Sequence, residues 1–181
     1  MHILKYYIKR CVGIPGDTLS IRNGFFHVEG VQMPLGNMDS QKRIAATEKF
    51  QDGIFRSFPF DSIIGWNIKD FGPLYIPAKD DSVTLDHTNF RLYKKLIEWE
   101  QQGNLQYKDS TVLLNGTPIN GYRFRKNYYF MAGDKGMNSQ DSRYWGLLPE
   151  EYIVGKAWII WKSVDPYTDK FRWNRFLKVI H

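Results

Sequence analysis

Lys9 is the first residue whose surroundings suggest chemistry. It lies in Tyr7-Ile8-Lys9-Arg10-Cys11-Val12-Gly13-Ile14-Pro15-Gly16-Asp17, among strand-forming residues and ahead of a Pro-Gly turn. A lysine acts as a general base only when neutral. Its ordinary pKa of about 10.4 must then fall by roughly two pH units, at about 1.4 kcal/mol each. Desolvation does this to an amine but not to a guanidinium. Taken alone, the segment also reads as a strand whose lysine faces solvent. A second stretch, Gly133-Asp134-Lys135-Gly136-Met137-Asn138-Ser139-Gln140-Asp141-Ser142-Arg143-Tyr144-Trp145-Gly146, is polar and dense in hydrogen-bonding groups. Asp141 and Arg143 are placed to form an ion pair, Asn138 and Ser139 offer short-range donors and acceptors, and Tyr144-Trp145 would anchor the end of the loop in the core. The plain alternative is a loop that only closes a turn.

Other chemistries find less support. His2, His27, His87 and His181 are far apart and pair on no helix face, so no metal site is expected. The glycines form no phosphate loop, and no cofactor is expected. Cys11 is the single cysteine, which excludes an internal disulfide. The net charge of +6 fits an anionic membrane, an acidic substrate or nucleic acid, but the basic residues are scattered except near the C-terminus. Without a basic stripe, nucleic acid is not an expected partner. Hydrophobic residues make up 43% and aromatic residues 16% of the 181, which suits a globular chain rich in β-structure. There is no run of about 18 apolar residues and no leader-like start at Met1, so the chain as it stands is expected to be soluble.

The elements that must hold these residues are mostly short strands. Ile3 to Val12 favours a strand, Pro15-Gly16-Asp17 turns it, and Thr18 to Arg22 alternates into the hairpin signal Asn23-Gly24. Phe25 to Val28 returns. Residues 37–70 lose this pattern and read as an inserted cap region, with a short helix over Gln41 to Phe50. Strand signals resume at Leu74 to Pro77 and Ser82 to Leu85. Thr88 to Gln102 is the clearest helix, with Thr88 as cap, Leu92, Leu96 and Trp99 on one stripe, and Gly103 as stop. Thr111 to Leu114 with Asn115-Gly116 forms a second hairpin. Arg123 to Met131 and Tyr152 to Trp161 read as strands, and Phe171 to His181 as a short basic and aromatic helix. The expectation is a mostly β folded sheet or barrel with one or two helices. Residues 1–36 and 71–165 would form its core, 37–70 an insertion, and 166–181 a tail.

Taken together the two polar segments carry a family resemblance. Lys-Arg-x-x-Gly-x-Pro-Gly-Asp, from Lys9 to Asp17, resembles the lysine box of bacterial type I signal peptidases. Gly-Asp-x-x-x-Asn-Ser-x-Asp-Ser-Arg-Tyr-Trp-Gly, from Gly133 to Gly146, resembles that family's last box, and Pro149 to Ala157 continues the likeness. Phe71-Gly72-Pro73-Leu74-Tyr75-Ile76-Pro77 and Phe171-Arg172-Trp173-Asn174-Arg175 resemble the Bacteroides-type versions. The resemblance implies a Ser-Lys endopeptidase that removes signal peptides on the outer face of the cytoplasmic membrane. Lys9 would be its general base, with Ser139 orienting that lysine. Tyr7 and Ile8 would pair with extended substrate, and Arg10, Asp134, Asn138, Asp141 and Arg143 would support the site. Signal peptides of exported preproteins and the phospholipid surface are the implied partners.

Two departures stand out. Lys135-Gly136-Met137 replaces the family's usual Asn-Arg-Asp. The family's serine lies several tens of residues before the lysine in a Ser-Met-x-Pro context, whereas the eight residues before Lys9 contain no serine, and Ser57 has the wrong order and flanks. The 181 residues alone are therefore expected to be inactive, with an edge near Tyr6 to Lys9 prone to pair with another chain. The alternatives are a self-cleaving repressor of related fold, or a paralogue that binds exported peptides without cutting them.

Overall fold

The computed structural model describes residues 6–51, 53–165 and 167–180. Its first half contains β1 (Arg10–Gly13), β2 (Thr18–Arg22), β3 (Phe25–Val28), α1 (Met38–Ala46), β4 (Phe71–Tyr75), β5 (Ser82–Thr84) and α2 (His87–Gln101). Then come β6 (Leu105–Lys108), β7 (Thr111–Leu114), β8 (Thr117–Ile119), β9 (Gly121–Arg123) and β10 (Tyr128–Ala132). A 3-10 turn at Gly136–Asn138, the single-turn α3 (Ser142–Trp145), β11 (Leu148–Pro149), β12 (Ile159–Ile160) and β13 (Lys178–Val179) complete the order. The fold is mostly β, as the turn chemistry predicts. All pairings of these strands are antiparallel, in small sheets ordered β1-β10-β11, β3-β2-β4, β5-β9, β6-β7-β8 and β12-β13. Asn23-Gly24 and Asn115-Gly116 both take positive φ, the backbone that two-residue hairpins require.

One core unites most of these elements. Leu19 and Ile21 of β2, Phe71 and Leu74 of β4 and Phe130 of β10 are buried together, and the Phe130 ring meets Phe26 and Phe71 edge-on. Helix α2 buries Leu92, Tyr93 and Ile97 in the same core as Leu105 and Val112. Its C-terminal end is tied to the strands by Glu100. That carboxylate accepts 2.6 Å bonds from the hydroxyls of Tyr122 and Tyr128, and bonds of 3.1 and 3.0 Å from the Arg125 N–H. Burial, then the bond to Glu100, pushes the Tyr122 phenol up to about 12, and the same causes raise Tyr128 further. The neutral phenols stay donors, so α2 holds the start of β10, the strand on which the Lys9 segment rests.

Several elements differ from the sequence expectation. Among the described residues the first strand begins at Arg10, and Tyr6 to Lys9, expected to be part of it, are not strand. Arg10 pairs with Ala132, the last residue of β10, so Tyr6 to Lys9 find no partner strand there; residues 3–5 lie outside the described residues. α1 starts earlier than expected because the Asn37 side chain accepts from the Ser40 N–H and caps it, and it ends at Thr47. Asp86, not Thr88, caps α2. Arg123 to Met131 is broken, since the Arg125 N–H is directed to Glu100 rather than to a strand. Of Tyr152 to Trp161 only Ile159–Ile160 pairs.

The expected C-terminal helix is absent from the described residues. Phe171 bridges to Val164, Trp173–Arg175 is one 3-10 turn, and Lys178–Val179 pairs with β12. The physical reason is aromatic. Phe171, Trp173 and Phe176 pack their rings on one another, and Phe176 meets Trp161. On a helix, residues 171 and 173 would stand about 200° apart and could not touch. Among the described residues no helix is long and apolar enough to cross a membrane.

Candidate active site

Strand β1 carries Arg10 against Ala132, so Lys9 emerges at the point where β10 ends and the chain turns at Gly133. That turn brings Ser139 back toward the sheet. Lys9 Nζ donates to Ser139 Oγ at 2.8 Å across 130 residues of sequence. Ser139 is only 8% exposed, whereas Tyr7 and Ile8 beside Lys9 are 76% and 79% exposed. A lysine amine, a buried hydroxyl and two exposed apolar side chains thus lie together.

The turn is held from below by Asp141 and Arg143. Asp141 is wholly buried and Arg143 is 2% exposed. The carboxylate takes a fork of bonds from Arg143, Nε to Oδ1 at 2.9 Å and Nη2 to Oδ2 at 2.6 Å. Its oxygens also accept from the Gly133 N–H at 2.9 Å and the Arg143 N–H at 3.2 Å, so Asp141 caps α3 as well. Arg143 Nη2 reaches on to the Gly136 carbonyl at 2.9 Å. Buried charges hold only when paired and fully hydrogen-bonded, and this pair is bonded to both ends of the Gly133–Gly136 turn. Ser142 adds a fixed point by accepting from the Met131 N–H at 2.9 Å.

The remaining expected support residues lie outward. Arg10 donates to Asp134 with Nε at 2.6 Å and Nη2 at 3.0 Å. Both partners are about half exposed, so solvent screening limits this pair to about 1 kcal/mol or less. It still fixes the start of β1 relative to the turn. Asn138 is exposed, and its N–H bonds the Lys135 carbonyl at 3.2 Å. Ser57 is buried, and the neighbouring Phe58 N–H bonds the Arg143 carbonyl in α3. It donates to the Phe58 carbonyl at 3.4 Å.

Sequence reasoning did not single out Gly133. A Cβ built on it would overlap Ser139 Oγ and stand 3.1 Å from Lys9 Nζ. The bare backbone there is what lets the lysine and the serine meet. It also passed over Ser40, whose hydroxyl fills the space beside Gly136. The signal for Gly133 was present in its place next to Asp134; Ser40 gave none.

The comparisons bear on what such a site belongs to. A signal peptidase I of Buchnera aphidicola (subsp. Acyrthosiphon pisum) is 30% identical over 174 residues, covering 88% of this chain and 49% of that protein. A signal peptidase I of Helicobacter pylori (strain J99) is 26% identical over 162 residues, 88% of this chain and 50% of its own length. One from Aquifex aeolicus is 55% identical over a 38-residue stretch, 21% of this chain and 15% of that protein. The chain spans about half the length of the first two relatives. The family described as "Signal peptidase, peptidase S26" matches residues 4–162, a span that takes in both Lys9 and Ser139, and the chain belongs to that family.

Proposed function

We propose that this chain is the base-bearing portion of a signal peptidase I, a serine endopeptidase that removes signal peptides from exported proteins. The observation that carries this reading is the bond from Lys9 Nζ to the buried hydroxyl of Ser139. A neutral amine has two N–H bonds and one lone pair. Giving one N–H to Ser139 Oγ fixes rotation about Cε–Nζ, so the lone pair is aimed at a separate hydroxyl. That hydroxyl would be a serine outside the 181 residues. Lys9 takes its proton as the serine oxygen bonds to the scissile carbonyl carbon. The ammonium then returns the proton to the leaving amine as the C–N bond breaks. In the second half Lys9 takes a proton from the water that attacks the ester carbonyl, and returns it to the serine oxygen as the acyl C–O bond breaks.

Ser139 itself fits the orienting role better than the nucleophilic one. A nucleophile must be reached by a peptide carbonyl, and Ser139 is buried behind Gly133. Tyr7 and Ile8 would receive the extended residues before the cleavage point, through backbone bonds and shallow pockets. Arg10, Asp134, Asn138, Asp141 and Arg143 would hold the turn.

The test compares two polypeptides on a fluorogenic signal-peptide substrate. The 181 residues alone should give no turnover. The same chain preceded by a family segment bearing Ser-Met-x-Pro should cleave after small residues. Steady turnover by the 181 residues, lost in Lys9→Ala, would overturn the external serine. Peptide binding by the extended chain without any cleavage would instead favour a binding paralogue.

The C-terminal region would meet the membrane surface, on the outer face of the cytoplasmic membrane. Trp158, Trp161 and Trp173 are exposed, and Lys156, Lys162, Lys170, Arg172, Arg175 and Lys178 lie near them in sequence. Aromatic and basic groups together suit a headgroup boundary with anionic lipid. The chain should co-sediment with vesicles containing phosphatidylglycerol, and Trp158→Ser with Trp173→Ser should lower the bound fraction severalfold. Unchanged binding by a folded double variant would remove this surface from the reading.

A further inference from the structure

Helix α1 touches the polypeptide at two bare backbone positions. On one side, Ile44 Cγ2 would stand 3.0 Å and the Ala45 nitrogen 3.1 Å from a Cβ at Gly24, the tip of the β2–β3 hairpin. On the other, Ser40 Oγ occupies the space where a Cβ at Gly136 would lie, with Ile44 Cδ1 3.4 Å from that point. Ser40, Ile44 and Gly136 are all buried. Thr47, the last cap of α1, adds a weak contact of its hydroxyl to Met137 Sδ at 3.7 Å.

The helix has its own moorings. Gln41 takes the Phe26 N–H at 2.8 Å and donates to the Leu35 carbonyl at 2.7 Å. Lys69 Nζ binds the Ala45 carbonyl at 2.9 Å. Asn37 caps the first turn. α1 is therefore a strut with one end on the hairpin and its side against the turn at Gly136–Asn138. Ser139 is the next residue. The same turn is also fixed by Arg143 through the Gly136 carbonyl. Contacted by α1 and bonded by Arg143, the turn leads directly into Ser139.

We infer that α1 is a positioning element of the candidate site: Ser40, seated against the bare backbone of Gly136, sets where Ser139 meets Lys9. Residues 37–46 then act from beneath the site rather than as a cap over it. Gly136 has a φ of +55°, and any side chain there would drive into Ser40. Turn and helix fit as a pair.

The inference rests on the reading of Lys9 as base only where activity is measured, so the test has two arms. The first uses the 181 residues labelled with 13C-lysine and follows the Lys9 Cε resonance, assigned with Lys9→Ala. Gly136→Ala should shift it, and Ser40→Ala in the same chain should bring it most of the way back. Asn37→Ala, which uncaps α1 at a distance from Lys9, should shift it in the same sense, while Asn37→Ser, which keeps a capping oxygen, should not. The second arm uses the serine-containing extended chain. There Gly136→Ala should lower kcat about ten- to a hundredfold with KM nearly unchanged, and the double variant should recover most of it. A Lys9 resonance that stays put in folded Gly136→Ala and Asn37→Ala chains overturns the inference, whatever the activity. A resonance that moves and is rescued while cleavage is untouched supports the strut and counts instead against Lys9 as the base. If Gly136→Ala does not fold, the Asn37 pair decides alone.

Discussion

Lys9→Ala, made in a chain that also holds the serine, lowers kcat by at least about a thousandfold, the scale on which a positioned general base contributes. KM changes little, because the proton moves only in the transition state. Lys9→Arg does no better. The guanidinium keeps its proton at any pH the protein tolerates, and its planar fork does not match the single bond that Lys9 makes to Ser139. Ser139→Ala is milder, about ten- to a thousandfold, since the lysine loses its orientation but keeps its lone pair. Thermal unfolding of all three variants should stay close to the parent, because Lys9 is only half-buried and the removed hydroxyl spans a single bond. Cleavage by the Lys9→Arg variant within a few-fold of the parent would refute the base assignment.

The parts of this protein that the sequence made legible are those where local chemistry decides. Asn23-Gly24 and Asn115-Gly116 had to be hairpin turns, because positive φ is open to them. The helix over His87–Gln101 declared itself by period, although its cap is Asp86, two residues before the expected Thr88. Elements that depend on distant partners did not. Whether Tyr6 to Lys9 continues a strand depends on where β10 stops, at Ala132 opposite Arg10. The tail resembled a helix by its basic residues at every third position, but ring packing among Phe171, Trp173 and Phe176 competed and prevailed. The site followed the same division. The buried fork between Asp141 and Arg143 is a two-residue relation and could be read directly. The Lys9–Ser139 bond spans 130 residues, and only the resemblance joined its two halves in advance. Ser40 escaped because nothing local marks a helix serine whose hydroxyl lies where a distant glycine lacks a side chain.

In the chain that also holds the serine, Gly133→Ala should be among the most damaging small substitutions. The backbone at Gly133 needs no positive φ, so alanine fits its conformation and the cost is one of space. The added methyl would overlap Ser139 Oγ, lie 2.8 Å from Ser139 Cβ and stand 3.1 Å from Lys9 Nζ. Real carbon contacts do not come this close, so the serine must turn away or the turn must lift. Neither move is free, because the Gly133 N–H is held by Asp141 and Ser139 is buried. The lysine therefore loses its oriented bond and also meets an obstruction, whereas Ser139→Ala only deletes the bond. The expected loss in kcat is about a hundred- to ten-thousandfold, the range for a catalytic group displaced by an ångström or so. The double variant Gly133→Ala with Ser139→Ala removes the oxygen that the methyl would strike. It should be more active than Gly133→Ala alone, although the 2.8 Å approach to Cβ keeps it below Ser139→Ala. Two mutations in contact should thus fail to multiply, and here the second should partly repair the first. Rates from the four chains of this cycle, with the Lys9 resonance followed in parallel, check the geometry directly. A Gly133→Ala enzyme near the parent rate, or a double variant whose loss is the product of the two single losses, would show that the lysine and the serine do not meet over that bare backbone.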